Sequence, residues 1–314
     1  MADPQVRPAT ATVTAPPMAG TLVDDGGDLC FVPRFGFVAG TAYTVLSAGT
    51  VLATLTRPSR DLTPSVEVVA IHPTVDVVPR NLLRCYVSFS AAMSEGDAAT
   101  HVRLVDDAGD PLAHALLPTE YELWNTDHTR LTVLLDPARI KRGLAGHRAA
   151  GYPLRPGERV RLVMGAGFHD ATGASLVAGA ERGYLVGADL RGRVDPAAWR
   201  LVPPAAGSTD PLTVAFGRPL DSALLRRCLR VAGPGGVVAG TVATADGERR
   251  WRLTPARPWR AGSHRLLVDP VLEDVAGNAV GRVFDRDLAD PADRPVQTRL
   301  VEVSFRPTER YQDT

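Results

Sequence analysis

Cysteine is scarce in this chain, which limits the chemistry that the sequence can support. Its 314 residues include three cysteines, Cys30, Cys85 and Cys228. None belongs to a C-x-x-C pair, so the common metal and redox motifs are excluded, and a chain of this length needs no disulfide scaffold. Each cysteine lies in a short apolar run, and we therefore predict buried free thiols.

Long hydrophobic runs are missing as well. No stretch approaches the ~20 apolar residues of a membrane helix. Residues 1–20 contain no apolar core of signal-peptide length. They carry four prolines among Ala and Thr instead, which predicts a disordered tail. A second short tail is predicted at residues 307–314.

The chain also lacks an excess of charge of either sign. Lys+Arg and Asp+Glu are 35 each, and the two signs are interleaved. Proteins that bind a phosphate backbone present a basic patch or stripe, so we expect no nucleic-acid partner. The content of hydrophobic residues (45%) and charged residues (22%) is that of a soluble globular protein of two or three domains.

Proline, glycine and short runs rich in Val, Leu and Thr are what the chain does contain. The 26 Pro and 29 Gly are spread along its whole length and favour short strands and tight turns. Val87 and Phe89 alternate with Ser88 and Ser90, as in a strand with one buried face. No long amphipathic helix is evident. The pattern predicts an all-β fold of antiparallel sandwiches.

An internal repeat organises these strands. Matched segments recur in the same order in two long stretches, one from Tyr86–Met93 to the turn at Asp170–Gly173, the other from Leu212–Phe216 to the turn at Asp274–Asn278. A truncated third copy begins near Leu29–Pro33. The repeat predicts tandem immunoglobulin-like β-sandwich modules.

The repeat also sets the predicted module boundaries. We expect a partial N-terminal β module over residues 21–62, followed by complete sandwiches over residues 65–189 and 195–306. The first complete copy is the longer one, and its excess falls at residues 138–152. This stretch is predicted to be a basic loop or a single helical turn that begins after Pro137.

Parts of the repeat resemble a known family. Phe89-Ser90 with Met93, a Pro-x-x-Gly turn before a strand, and the ending Asp274-x-x-Gly277-Asn278 are similar to the bacterial Ig-like domain named after the S-layer protein SbsA. The resemblance covers both complete modules and part of the first. It implies an exported bacterial protein of the cell envelope or surroundings, often a lipoprotein or surface-layer component, whose modules space, adhere or accompany a catalytic domain. The family has no fixed catalytic residues to carry over.

The insertion and the segment before it are the predicted binding region, because loops grafted on a rigid sandwich commonly bind partners. The candidate residues are Glu122, Trp124, Asp127, His128, Arg139, Lys141, Arg142 and His147. An aromatic ring beside charged groups can stack on a sugar or anchor a protein, so we predict a protein or glycan partner. Deletion of residues 139–150 is then expected to abolish capture with little change in melting temperature. The alternative is structural, with turn caps, core packing and solvated charges.

Two catalytic or metal-binding alternatives remain open at this point. The spacings of His128, His147 and His169 match no zinc signature. The turns at Asp106–Asp110 and Asp274–Asn278 bring oxygen atoms together, as a Ca²⁺ site requires. Carboxylates that provide the raw material of a glycosidase pair are Glu120, Glu122, Asp127 and Asp136. No P-loop, Rossmann or G-x-S-x-G pattern occurs.

The sequence thus predicts, first, a non-catalytic multi-module protein that binds a partner or acts as a spacer, without a cofactor. The alternative is a metal-binding protein or hydrolase that uses the acidic and His residues of the module predicted at residues 65–189.

Overall fold

The structure, a computed structural model, describes residues 4–9, 17–34, 36–37, 40–58, 62–96, 98–118, 122–296 and 299–309. The chain divides into two compact units, Met1–Thr63 and Pro64–Thr314. We call the first the N-terminal unit. The second contains two β-sandwiches, which we call the middle module and the C-terminal module.

The N-terminal unit is a small β structure. Its strands are β1 (Gln5–Pro8), β2 (Gly20–Asp25), β3 (Asp28–Pro33), β4 (Ala42–Ser47) and β5 (Thr50–Thr56). They form a sheet of order β1-β4-β5 and a separate β2-β3 hairpin. The predicted disorder of residues 1–20 is wrong for β1, because Val6 is buried and pairs with Val45.

The middle module is a sandwich of two four-stranded sheets. Its elements are β6 (Val68–His72), β7 (Val77–Pro79), β8 (Arg84–Phe89), α1 (Ala98–His101), β9 (Val102–Asp106), β10 (Leu123–Trp124), β11 (Arg130–Leu134), α2 (Pro137–Ile140), α3 (Ala145–Ala150), β12 (Arg159–Met164) and β13 (Ala180–Gly187). The sheet orders are β10-β11-β8-β6 and β7-β13-β12-β9. All pairs are antiparallel except β7 with β13.

The C-terminal module repeats this architecture. Its elements are β14 (Arg200–Val202), β15 (Leu212–Ala215), α4 (Ser222–Leu225), β16 (Leu229–Gly233), β17 (Gly236–Val237), β18 (Gly240–Ala245), β19 (Arg250–Pro255), β20 (His264–Val268) and β21 (Val301–Phe305), with 3₁₀ turns at Pro196–Ala198 and Pro291–Asp293. The sheet orders are β14-β15-β19-β18 and β17-β16-β20-β21. When β7 and β17 are set aside, the seven remaining strands of each module show the immunoglobulin arrangement. One sheet contains the first, second, fifth and fourth of these strands in that order, and it packs on a sheet of the third, sixth and seventh.

The two modules also match in detail. A bridge joins Met93 to Asp170 in the middle module, and the equivalent bridge joins Leu220 to Asp274 in the C-terminal module. The Asp-x-x-Gly turns found in the sequence thus lie at the same place, between the last two strands of each sandwich. The predicted all-β fold of tandem immunoglobulin-like modules is confirmed.

Each sandwich has its own apolar core. In β19, Trp251 and Leu253 are buried while Arg250, Arg252 and Thr254 are exposed, as expected from the alternating sequence. The buried ring of Phe168 has the same central role in the middle module. Full burial of a large apolar side chain contributes about 1.5–3 kcal/mol to stability, so the inward sides of these strands supply much of the folding energy.

Two further expectations need correction. Cys85 and Cys228 are buried, but Cys30 is exposed because its hairpin packs little of its surface. The predicted tail at residues 307–314 is ordered at its start, since Thr308 exchanges backbone hydrogen bonds with Pro204 and Ala206. Residues 310–314 lie outside the described residues.

Candidate functional site: the junction between the two modules

One end of the C-terminal module meets the middle module through three of its loops. They follow β15, β18 and β20, and each places a buried carboxylate at the junction. These carboxylates belong to Asp221, Glu248 and Glu273, which are 2%, 2% and 8% exposed. Buried charges are costly unless they are paired and hydrogen-bonded, so their partners decide what the junction can do.

Glu248 reaches the middle module from the tight turn between β18 and β19. Its carboxylate accepts hydrogen bonds from His72 Nδ1 at 2.7 Å, from Thr74 N at 2.7 Å and from Thr74 Oγ1 at 2.8 Å. The turn lies against Val75, and a Cβ on Gly247 would stand 2.9 Å from the Val75 Cα. Glycine at this positive φ therefore permits the close approach. Burial opposes ionisation, but the bonds from His72 and Thr74 outweigh it and lower the pKa of Glu248.

Asp221 joins the same two modules through the outer face of β8. Tyr86 Oη donates to Asp221 Oδ2 at 2.7 Å, and Arg84 Nη1 lies 3.5 Å from the same oxygen. The other carboxylate oxygen caps α4 by accepting from the N–H groups of Ala223 and Leu224. Burial is the main cause that raises the pKa of Tyr86, and the adjacent Asp221 carboxylate raises it further. The phenol therefore stays protonated and acts as a hydrogen-bond donor.

Glu273 completes the ionic group around Arg84. It is paired with both Arg84 and Arg282. Burial nevertheless dominates and raises the pKa of Glu273. Burial lowers the pKa of Arg84, but Asp221, Tyr86 and Glu273 more than offset this, and the net pKa is raised. A single arginine of the middle module thus holds two carboxylates of the C-terminal module.

Apolar packing closes the rest of the junction. Val275 belongs to the core of the middle module although it lies in the C-terminal module, and Phe284 packs against the same core. Leu83 N donates to Val275 O at 2.9 Å. A Cβ on Gly277 would come within 2.5 Å of Leu83 Cδ2, and the φ of +82° favours glycine, so a larger residue there would strain the backbone and displace Leu83.

The insertion predicted as a binding loop also contributes to the junction. Asp136 caps α2, which begins at Pro137, and α3 follows it, so the insertion has two short helices where the sequence predicted a loop or a single helical turn after Pro137. Arg142 Nε donates to Asp285 Oδ2 at 2.8 Å, and Arg191 donates to the same carboxylate at 3.1 Å. Lys141 Nζ stands 4.4 Å above the ring of Phe284. Two predicted site residues thus contact the C-terminal module.

Arg139 and His147 hold the insertion itself together. The guanidinium of Arg139 donates to five backbone carbonyl oxygens, those of Ala113, His114, Ala150, Gly151 and Tyr152. The ring of His147 stands edge-on to Tyr152, with 4.5 Å between the ring centroids. Ile140 is fully buried. Deletion of residues 139–150 would remove these contacts, so the structure leads us to expect a lower melting temperature rather than an unchanged one.

The segment around Trp124 forms a second, separate group. Trp124 Nε1 donates to Glu122 Oε2 at 2.7 Å, and Glu122 Oε1 accepts from the backbone N–H of Ala98 at 2.6 Å. The His128 ring stacks on Trp124 with a centroid distance of 5.8 Å, while Asp127 is exposed. Across the described residues, no hydrogen bond or ring contact joins this group to Arg139 or His147.

A cleft of about 860 Å³ opens beside this second group. Aliphatic side chains such as Leu116, Leu123 and Leu131 line it, together with Glu95 and Glu122. Its volume is within the range of small-molecule sites. Trp124 does not line the cleft, because Phe89, Phe168 and His128 surround its ring. Binding of a protein or glycan by this group stays a prediction.

Several of the residues considered for metal binding or hydrolysis have structural partners. Glu122 supports the loop before α1, and Asp136 caps α2. The carboxylate of Asp274 accepts from Ala276, Asn278 and Arg218. In the described parts of the chain, no three His, Cys, Asp or Glu side chains gather closely enough to hold a metal ion. Glu120 lies outside the described residues.

The acidic residues of the junction were not found from the sequence. Positive and negative charges are interleaved along the whole sequence. Nothing in it distinguishes Asp221, Glu248 and Glu273 from other charged residues in turns. A signal is present in β8, where Arg84 and Tyr86 alternate with the inward-facing Cys85 and Val87. A large aromatic residue on the outward side of a strand indicates that another element covers it.

Fold and junction together define a tandem immunoglobulin-like protein whose last two modules form one unit. No family model matches the sequence, and no curated protein is found to be similar to it. None of the helices in the described ranges has the length and apolar character needed to cross a membrane.

Several solved structures are similar to this chain at low scores. The S-layer protein SbsC matches with 10% identity and a TM-score of 0.28 over 65% of this chain and 23% of its own. A fragment of native alpha-2-macroglobulin from Escherichia coli matches with 10% identity and a TM-score of 0.26 over 77% of this chain and 90% of its own. A titin I-band fragment matches with 8% identity and a TM-score of 0.21 over 84% and 82%. The chain thus spans about a quarter of SbsC. These likenesses carry no argument about function, and the fold rests on the strand pairing itself.

Proposed function

We propose that this chain is a non-catalytic structural protein whose middle and C-terminal modules form a rigid spacer. The observation that carries the proposal is the set of three buried carboxylates, Asp221, Glu248 and Glu273, each bonded to the neighbouring module. Domains that move relative to each other share mostly polar interfaces without a common apolar core. Here Val275 and Phe284 pack into the core of the middle module, so movement of the modules would expose apolar surface as well as break the hydrogen bonds of the buried carboxylates.

The insertion supports the same proposal. A spacer needs resistance to bending, and Arg142 with Asp285 adds a contact to a different part of the loop that carries Glu273. Contacts spread over several parts of a junction restrict rotation more than one central contact does. A bacterial envelope location is part of the proposal and follows from the SbsA-type resemblance alone.

The proposal predicts that the two modules unfold together. Differential scanning calorimetry of the full chain should show the middle and C-terminal modules in one transition. The double variant Tyr86→Phe, Glu248→Gln removes hydrogen bonds worth about 1.5–3 kcal/mol each to a charged group. We expect this variant to split the transition into two.

Glu302→Gln is the matched control, because Glu302 pairs with Arg265 on an exposed face of the C-terminal module. An exposed pair contributes about 0–1 kcal/mol, so the transition should stay single. Two independent transitions in the unaltered protein, or a single one in the junction variant, would contradict the proposal.

A further inference from the structure

One outer face of the C-terminal module carries three arginines on strands that contain no acidic residue. The face belongs to the sheet β14-β15-β19-β18, and Arg200, Arg250 and Arg252 are all exposed on it. Ala215 lies directly between Arg200 and Arg250 across the strands. None of the four strands contains Asp or Glu, and their other outward residues are Thr, Ala and Val. We call this surface the basic face.

The arginines of the basic face lack sufficient counter-charge. Arg250 lies 3.4 Å from Asp246, but Arg200 and Arg252 have no ion pair or hydrogen bond among the described residues. Alternate residues of a strand are about 7 Å apart, and next-nearest strands about 10 Å apart. These distances are within the Debye length at physiological salt, about 8 Å, or close to it. The three arginines repel one another, so the basic face favours an anionic partner.

A segment with the complementary charge exists in the same chain. The β2-β3 hairpin, Gly20–Pro33, contains Asp24, Asp25 and Asp28 and neither Lys nor Arg. Asp24 Oδ1 accepts from Gly27 N at 3.0 Å within the turn. Asp25 and Asp28 stand directly opposite each other across the hairpin, an arrangement that destabilises the pair.

The apolar residues of the hairpin add to this complementarity. Val23 and Val32 lie on the same face as Asp25 and Asp28 and are 45% and 52% exposed. The basic face has a counterpart in Val202, which is 49% exposed. An isolated two-stranded hairpin is only marginally stable in water, so burial of one of its faces stabilises it.

We infer that the acidic hairpin of one copy of this chain docks on the basic face of a second copy. The two surfaces are different patches, so the contact is heterologous and continues from copy to copy in a head-to-tail manner. The net charge of the chain is zero, so two copies do not repel each other as whole molecules. The acidic hairpin of one copy can therefore be attracted to the basic face of another. The inference does not depend on rigidity at the junction.

Sedimentation velocity of the full chain over a range of concentrations tests the inference. The buffer contains a reductant, because Cys30 on the hairpin is exposed. We expect concentration-dependent association at low salt that weakens at about 0.5 M salt. The double variants Arg200→Glu, Arg252→Glu and Asp25→Arg, Asp28→Arg should each weaken association by at least about tenfold. An equimolar mixture of the two variants should restore it, because each then carries the charges that the other lacks.

Arg230→Glu, Arg306→Glu is the control with the same change in net charge, made at exposed arginines outside the basic face. It should associate as the unaltered protein does. Circular dichroism checks folding, and Asp25→Asn, Asp28→Asn replaces the hairpin variant if that variant misfolds. A monomer at all concentrations, association unaffected by both reversals, or a mixture that stays monomeric would overturn the inference. A hairpin that docks within its own chain would also leave the protein monomeric at all concentrations.

Discussion

Asp170 and Asp274 occupy equivalent turns but have different surroundings. Burial raises the pKa of Asp170, but hydrogen bonds from Thr172 and Ala174 outweigh it, and the net pKa is lowered. Burial dominates at Asp274 and raises its pKa, although Asn278 and Arg218 donate to it. The repeat in the sequence predicted both turns. It did not reveal this difference, which depends on how much of the rest of the molecule covers each turn.

Asp170→Asn should destabilise the middle module in a pH-dependent way. The variant loses charge-assisted hydrogen bonds worth about 1.5–3 kcal/mol. Because the folded pKa lies below the ordinary value of 3.8, this contribution is complete above that pH and is lost as the pH falls through the folded pKa. Urea unfolding of both proteins at pH 7 and near pH 3 measures the difference.

Asp106→Asn serves as the control, since Asp106 accepts one turn hydrogen bond at an exposed site. Its effect should stay within about 0.5 kcal/mol at both pH values. An equal loss for Asp170→Asn at both pH values would show that the charge of Asp170 does not contribute.

At the scale of elements, β8 shows what alternation predicts and what it leaves open. Val87 and Phe89 were expected to face the core, and both are buried. The opposite side of the same strand was expected to be solvated, yet Tyr86 is 6% exposed. Alternation identifies the inward side of a strand, whereas the outward side depends on a loop more than a hundred residues away.

The insertion at residues 138–152 illustrates the same limit. Its length and start after Pro137 follow from comparing the two copies of the repeat. Its basic residues suggested a solvent-facing loop, but Arg139 is bound by backbone carbonyl oxygens and Arg142 by Asp285. A guanidinium with five donors can hold short helices and loops together, and composition does not distinguish this role from ligand binding.

Arg139→Ala should therefore lower the stability of the middle module. It leaves five carbonyl oxygens without the guanidinium donor, and we expect a loss of about 2 kcal/mol in the free energy of unfolding. Arg148→Ala is the matched control, because Arg148 is exposed on α3 and its side chain makes no hydrogen bond or ion pair among the described residues. Chemical denaturation of both variants measures the effect. Equal stability of the two would show that the insertion is held by other contacts.

At the scale of the whole molecule, the sequence predicted two sandwiches of the same strand order, over residues 65–189 and 195–306, with a short joint between them. It did not predict that the joint is closed. A linker of a few residues is compatible with free movement, and the contacts that prevent it come from distant loops. The order of the strands follows from local patterns, while the relation of the modules follows from Arg84, Glu248 and their partners.

Distance measurements between the modules test the rigid junction most directly. Spin labels at Val177→Cys and Val237→Cys, in a Cys30→Ser background, report on the middle and C-terminal modules, because both positions are exposed while Cys85 and Cys228 are buried. Double electron–electron resonance should give one narrow distance distribution, which broadens when Tyr86→Phe and Glu248→Gln are added. A broad distribution in the protein with an unaltered junction would contradict the account.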